Sequence, residues 1–339
     1  MSYFRKGITM KPSKRITASI LATGCALALA ACGKSTASSA GATATKFPTK
    51  PITLIVPQAA GSASDILART FGRSLGTALH VPVEVKDLPG GSDSIGLAAV
   101  AGAPADGYTV FVPSESMLYG LAQHLSPYTP SDLTFLARLV EYPMGFYIST
   151  KAPFSTMQGL VKYAKSHPGA VSVSASGAVS AGEQIVANLE SADNIKLNYV
   201  AVKGGNKAAL AVLSGQSMVG AGVLTNAMPY VKSGTMRVIY ISSRSSDPSF
   251  PTAPTATSLK INDVVGNWVG LVVRKGTPAA VADKLLVAAD KVANSASWLA
   301  FVKSKNIAPS WAGTATFTAQ VNREYPTITS YVSSAKKAK

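Results

Sequence analysis

The segment Ile52 to Arg69, ITLIVPQAAGSASDILAR, constrains this chain more than any other. Ile52, Leu54, Ile55 and Val56 form a short apolar run rich in branched side chains, Pro57 ends it, and Ala59-Ala60-Gly61-Ser62-Ala63-Ser64 follows as a loop of small residues. From Asp65 onward, Leu67, Phe71, Leu75 and Leu79 recur every fourth residue, the stripe of an amphipathic helix. A strand, a small-residue loop and a helix in that order leave N–H groups of the first helical turn unpaired. The positive end of the peptide dipoles stands behind them, so the site suits a carboxylate or a phosphate. The bland reading is an ordinary cap by Ser62 or Ser64 with nothing bound.

The same order recurs. His80 to Lys86 alternates as a strand and runs into Leu88-Pro89-Gly90-Gly91-Ser92-Asp93-Ser94, then into an Ala-rich helix. Thr109 to Val112 is a buried strand ending at Pro113-Ser114-Glu115-Ser116. Val171 to Ser174 leads to the loop Ala175 to Gly182 and a helix over Glu183 to Leu189. Leu197 to Val202 leads to Lys203-Gly204-Gly205-Asn206 and a helix over Lys207 to Leu213. Trp268 to Val273 reads as a returning strand, and Thr277-Pro278 starts another helix, with Thr as cap and Pro at the first helical position. Alternating strands and helices predict an α/β fold with mostly parallel sheet. Ligands of such sheets lie outside the carboxyl ends of the strands. Two such loops precede residue 145 and two follow residue 150, which predicts two lobes facing one cleft.

The N-terminus reads as an export signal. Arg5, Lys6, Lys11, Lys14 and Arg15 precede the apolar stretch Ile20 to Ala31, and Leu29-Ala30-Ala31-Cys32 resembles the bacterial lipobox, whose cysteine is lipidated. A leader over 1–31, lipidation at Cys32 and a Ser/Thr/Ala/Gly-rich tether over 32–49 are expected. Of 32 basic residues five leave with the leader, so 27 face 16 acidic ones, a net charge of +11. Cys25 leaves too, and no thiol remains for a disulfide or a thiolate metal site. The basic residues are scattered without the interleaved aromatics of a nucleic-acid surface, so no nucleic-acid partner is expected, although the charge can steer acidic solutes.

Catalytic machinery is missing from the sequence. His80, His124 and His167 stand apart from one another and read as surface or capping residues, and no metal-ligand spacing occurs. Ser94-Ile95-Gly96 approaches a hydrolase elbow, but position 92 is Ser where Gly is required. The loops offer donors instead: backbone N–H groups, serine hydroxyls and the cation of Lys203. Donors without a base describe a binding site for an anionic or polar molecule.

Several stretches together are similar to the substrate-binding proteins of tripartite tricarboxylate transporters, the Bug family. They are Ile52-Thr53-Leu54-Ile55-Val56-Pro57 with Ala60-Gly61 and Asp65 to Arg69; Pro89-Gly90 through Ile95-Gly96, then Ala105 to Thr109; Val202-Lys203-Gly204 with Ala208, Leu213 and Gly215-Gln216; and Trp268 to Pro278. The resemblance implies a periplasmic-binding-protein-like (type II) fold, two α/β lobes joined by two crossing strands. Lobe 1 would hold residues 50–146 plus 271–339, and lobe 2 residues 147–270. It implies a monomeric, lipid-anchored receptor that captures a small carboxylated solute for a membrane permease, with no cofactor and no metal. Carried over by position, the first loop supplies Gln58, Ala60, Gly61, Ser62 and Asp65, and the second Gly91, Ser92, Asp93 and Ser94. The facing lobe supplies Ser176, Gly177, Ser180 and Lys203. Gln58 stands where the family has an aromatic, and Gly91-Ser92-Asp93-Ser94 stands where its second loop commonly reads A-G-G-N. An acid in the pocket repels a second carboxylate or attracts a cation. Two rival readings are an exported hydrolase using Ser92 or Ser94, and a sensor subunit presenting its ligand to a membrane receptor.

Overall fold

In the computed structural model, β1 (Ile52–Val56) divides its side chains between two cores: Ile52, Leu54 and Val56 enter one apolar cluster and Ile55 another. A strand buried on both faces has no room for polar alternation, which is why the segment reads as a continuous apolar run. The structure describes residues 46–261, 264–307 and 309–337. The expected leader, Cys32 and the tether up to residue 45 lie outside the described residues.

From β1 the chain passes through α1 (Ala63–Leu79), β2 (Val83–Asp87), α2 (Ser94–Ala101), β3 (Thr109–Phe111), α3 (Ser116–Ala122) and β4 (Leu133–Glu141). It continues through β5 (Met144–Ser149), α4 (Met157–Ser166), β6 (Ser172–Ser176), α5 (Ala181–Asp193), β7 (Asn198–Val202), α6 (Gly205–Leu213), β8 (Val219–Val223), α7 (Met228–Lys232) and β9 (Met236–Ile241). The last elements are β10 (Trp268–Arg274), α8 (Ala279–Ala293), α9 (Ala296–Ser304), β11 (Pro309–Gly313) and α10 (Thr314–Lys337).

Two sheets result. One has the order β11-β4-β10-β3-β1-β2, the other β7-β6-β8-β5-β9. The β1–β2, β1–β3, β6–β7 and β6–β8 pairs are parallel, whereas β10 runs antiparallel to β3 and β4, β11 to β4, and β5 to β8 and β9. The sheets are therefore mixed rather than mostly parallel. Only the βα repeats demand parallel neighbours. The strands next to the crossings enter from the opposite end.

The chain changes sheet at Tyr142-Pro143, between β4 and β5, and returns between β9 and β10. The expected divisions at 146/147 and 270/271 fall inside β5 and β10, whereas the two crossings form the hinge between the sheets. The expected tether also ends early. Phe47 is buried with its ring 4.9 Å from that of Tyr108, and Thr49 donates its N–H to the Tyr108 hydroxyl at 2.8 Å. A large aromatic in a run of small residues needs cover, and Tyr108 gives it.

In the first lobe, α1 and α8 cover one face of the sheet, with Phe71 edge-on to Trp298 at 5.0 Å. α2, α3 and α10 cover the other, around Phe111, Trp268 and Phe317. The second sheet closes around Phe146, Val173, Ile185 and Val219.

Candidate functional site

Ser62 is the N-cap of α1, accepting the Asp65 N–H at 3.2 Å. Asp65 answers by accepting the Gly61 N–H at 2.7 Å, and its other oxygen lies 2.6 Å from Arg69 Nε. Arg69 also reaches Asp87 at the end of β2 at 2.6 Å. Asp65 and the Gly61 N–H, both expected to meet a ligand, are thus engaged in holding the loop's shape. Ala60, Gly61 and the Ala63 and Ser64 N–H groups at the helix start remain presented to the outside. Gly61 takes φ +78°, the left-handed conformation open to glycine at no steric cost.

Asp93 departs further from expectation. Gly91, Ser92 and Asp93 all have positive φ, at 58°, 48° and 68°. This turn carries the Asp93 side chain away from the cleft, where only 2% of the residue is exposed. Its Oδ1 accepts from Gln58 Nε2 at 2.8 Å, and its Oδ2 accepts from the Ser114 N–H at 3.0 Å and hydroxyl at 2.8 Å. One carboxyl therefore ties the loops after β1, β2 and β3 together. Burial pushes its pKa up to about 7 against the opposing pull of the three donors. Gln58, expected at the ligand, is spent on the same tie. Ser92 is exposed, and Ser94 is buried with no hydrogen-bond partner for its hydroxyl among the described residues. No hydrogen bond joins either serine hydroxyl to a histidine among the described residues; His80 and His124 sit in left-handed turns and His167 stacks on Tyr163.

In the second lobe, Ser180 caps α5 through the Glu183 N–H at 3.3 Å, and Ser176 and Gly177 are exposed. The Gly177 carbonyl accepts from the Tyr199 hydroxyl and from Ser180 Oγ. Lys203 is exposed beside the Gly204-Gly205 start of α6 and has no ion pair among the described residues.

Strand register shows how the four loops are disposed. The end of β3 adjoins the start of β10, with Phe111 opposite Val272 and Ser114 bridged to Val269. The end of β8 adjoins the start of β5, with Val223 opposite Met144. β1, β2 and β3 are parallel, as are β6, β7 and β8, so both sheets turn their loop-bearing ends toward the hinge. Side chains meet across it: Tyr119 donates to Gln184 Oε1 at 2.7 Å, and Tyr331 donates to Glu183 Oε2 at 2.8 Å. A recess of about 960 Å³ also touches Tyr119 and Gln184, but its walls are residues 241–248, Arg138, Glu141 and α10, and none of the four loops lines it. Arg138 pairs with Glu141 there at 2.7 Å, and Gln320 donates to Glu324 at 2.8 Å.

Sequence reasoning missed Ser114, Tyr119, Gln184, Tyr199 and Tyr331. Ser114 alone carried a signal, following a strand as the other loops do; the tyrosines come from helices or strands far away in sequence.

Comparison with known proteins assigns the class. A TctC solute-binding protein from Polaromonas, solved without ligand, superposes with a TM-score of 0.76 at 26% identity, covering 85% of this chain and 99% of that one. MatC from Rhodopseudomonas palustris, solved with bound malate, has the same fold, with a TM-score of 0.70 at 23% identity over 84% of this chain and all of that one. The two lobes and their facing loops are the architecture of a solute-binding protein.

Within that class the assignment is narrower. The family model described as tripartite tricarboxylate transporter family receptor matches residues 67–329. A Cupriavidus necator relative, the UPF0065 protein in the gbd 5' region, is 30% identical over 265 residues, 77% of this chain and 80% of that one. The chain belongs to the tripartite tricarboxylate transporter receptor family: it is a solute-binding receptor and not an enzyme.

Proposed function

We propose that this receptor captures a small carboxylated solute between its lobes and hands it to a tripartite tricarboxylate-type permease, exported and held at a membrane by a lipid on Cys32. One observation carries the reading of the ligand. Helix starts with unpaired N–H groups, dressed with glycine and serine, stand at strand ends on both sides of the hinge, and Lys203 adds a cation. The backbone N–H groups and the ammonium donate hydrogen bonds and accept none, and the serine hydroxyls can donate as well, which matches a carboxylate. Malate in the related MatC supports the choice of solute class. Asp93, tied inward, does not oppose an acid through direct contact. The contact surface that remains is Ala60, Gly61, Ser62, Gly91, Ser92, Ser176, Gly177, Ser180 and Lys203. Gln58, Asp65, Asp93 and Ser94 shape it from behind.

Thermal unfolding against a panel of carboxylates, with malate first and the methyl ester of each acid as control, tests this. A true ligand at a hundredfold excess over its Kd stabilises by about 2.7 kcal/mol, which raises Tm by roughly 5 °C or more. Its ester leaves Tm unchanged. Stabilisation by neutral or cationic compounds alone would overturn the carboxylate assignment.

A further inference from the structure

Val179, in the second-lobe loop, is a β-branched residue at φ +51°. That conformation is an outlier for valine and persists only where the surroundings over-determine it. Here much of the surroundings belongs to the other lobe. The Val179 N–H donates to Glu183 Oε2 at 2.6 Å, and the same oxygen accepts from the Tyr331 hydroxyl of α10 at 2.8 Å. The Val179 carbonyl accepts from Gln123 Nε2, next to α3, at 3.5 Å. One residue along from Glu183, Gln184 accepts from Tyr119 of α3 at 2.7 Å. The side chains of Val179 and Ala181 pack on the first lobe's cluster of Leu118, Tyr119 and Ile328, with Tyr325 and Tyr331 at its margin. The Tyr119 and Tyr331 rings stand edge-on to each other at 6.4 Å.

We propose that Tyr331 and Tyr119 are positioning residues: together they clasp the Val179–Gln184 segment across the hinge and hold the second-lobe loop in the shape that receives the solute. They touch the loop and not the solute. Glu183 is the hub, because one oxygen serves both the loop backbone and the opposite lobe. Burial, reinforced by the Glu183 carboxylate, pushes the Tyr331 hydroxyl upward, so it keeps its proton and remains the donor. Without the clasp Val179 relaxes toward extended backbone and Ser176, Gly177 and the start of α5 lose their disposition. The effect on solute affinity rests on the carboxylate reading above; the effect on the loop does not.

Two measurements separate these claims. In the ligand-free protein, Tyr331→Phe speeds hydrogen–deuterium exchange across residues 176–184 and leaves residues 58–66 unchanged; Tyr119→Phe does the same more weakly. In calorimetric titration with malate, Tyr331→Phe raises Kd about tenfold, as expected for loss of a hydrogen bond to a charged acceptor. In a Val179→Gly background the same change costs clearly less, because glycine takes positive φ unaided. A purely structural hydroxyl would cost the same in both backgrounds. If the wild type binds no malate, the titration uses whichever carboxylate of the panel raises Tm, and if none does, exchange alone decides the clasp. Unchanged exchange across 176–184 in both tyrosine variants overturns it, as does an equal loss of affinity in both backgrounds.

Discussion

Asp93 is a buried acid whose ionisation the fold disturbs strongly. All three of its partners donate to it, which suits the ionised form, yet burial raises its pKa from 3.8 to about 7. The folded state therefore holds a proton between pH 4 and 7 that the unfolded state has released. By linkage, this group's contribution to stability falls as pH rises through that window and is level above it. The full swing is up to about 4 kcal/mol, three pKa units at 1.36 kcal/mol each. In Asp93→Asn the carboxamide oxygen keeps the Ser114 donors and Gln58 turns its amide to accept. The variant then loses the slope. Melting curves at pH 5 to 8 check this: the wild type should fall relative to the variant as pH rises, and parallel curves would contradict the assignment. Asp65, with similar burial, has an arginine beside it at 2.6 Å, a partner that Asp93 does not have.

Among the elements, α3 does more than cover the sheet. Gly120 lies so close to the second loop that a Cβ there would stand 2.4 Å from the Ser92 carbonyl and 3.0 Å from Ser94 Oγ. Backbone cannot yield as a side-chain tip does, so Gly120→Ala must push the 91–94 turn or α3 itself. Overpacking of this kind costs about 1–3 kcal/mol. The expected result is a lower denaturant midpoint together with weaker malate binding, since the displaced turn carries Gly91 and Ser92. Unaltered affinity would mean that α3 moved instead of the loop. α5 plays the matching part in the other lobe, where Gly182 packs with a would-be Cβ 2.8 Å from Ala175 and the helix start stays close to the end of β6. In both lobes a glycine lets a helix pack closely, against the 91–94 turn in the first and against the end of β6 in the second.

For the whole molecule, the two crossings and the side-chain contacts beside them set the relation of the lobes. β4 and β10 pair along seven residues of β10, with register shifts between Val269 and Gly270 and between Leu271 and Val272. The proposed lipid anchor is the other matter tested on the whole molecule. Cys32→Ala should move the protein from the detergent-rich to the aqueous phase on detergent partitioning and release it from membranes, while solute binding by the folded part is unchanged. A wild-type protein that is already aqueous would contradict the lipid.

Much of the site was legible in the linear chain because βα units are local. A strand, its loop and its helix follow one another directly in sequence, so the loops at 59–64, 88–94, 175–182 and 203–206 could be placed by pattern alone. What the pattern could not show was direction. Asp93 and Gln58 read as pocket residues, and only the left-handed turn at 91–93 and the distant Ser114 reveal that Asp93 is buried and that Gln58 donates to it. β4 and β11 escaped notice because mixed and edge strands lack a clean period, and β10's antiparallel course depends on where the chain re-enters. Tyr119 and Tyr331 lie 65 and 148 residues from their partners. Amino-acid order alone determined the repeated strand–loop–helix units and the donor-rich chemistry of their loops, since both arise from neighbours along the backbone. Tertiary structure alone decided which donors stay open and how one lobe steadies the other, because those outcomes depend on groups that meet only after the chain has crossed the hinge twice.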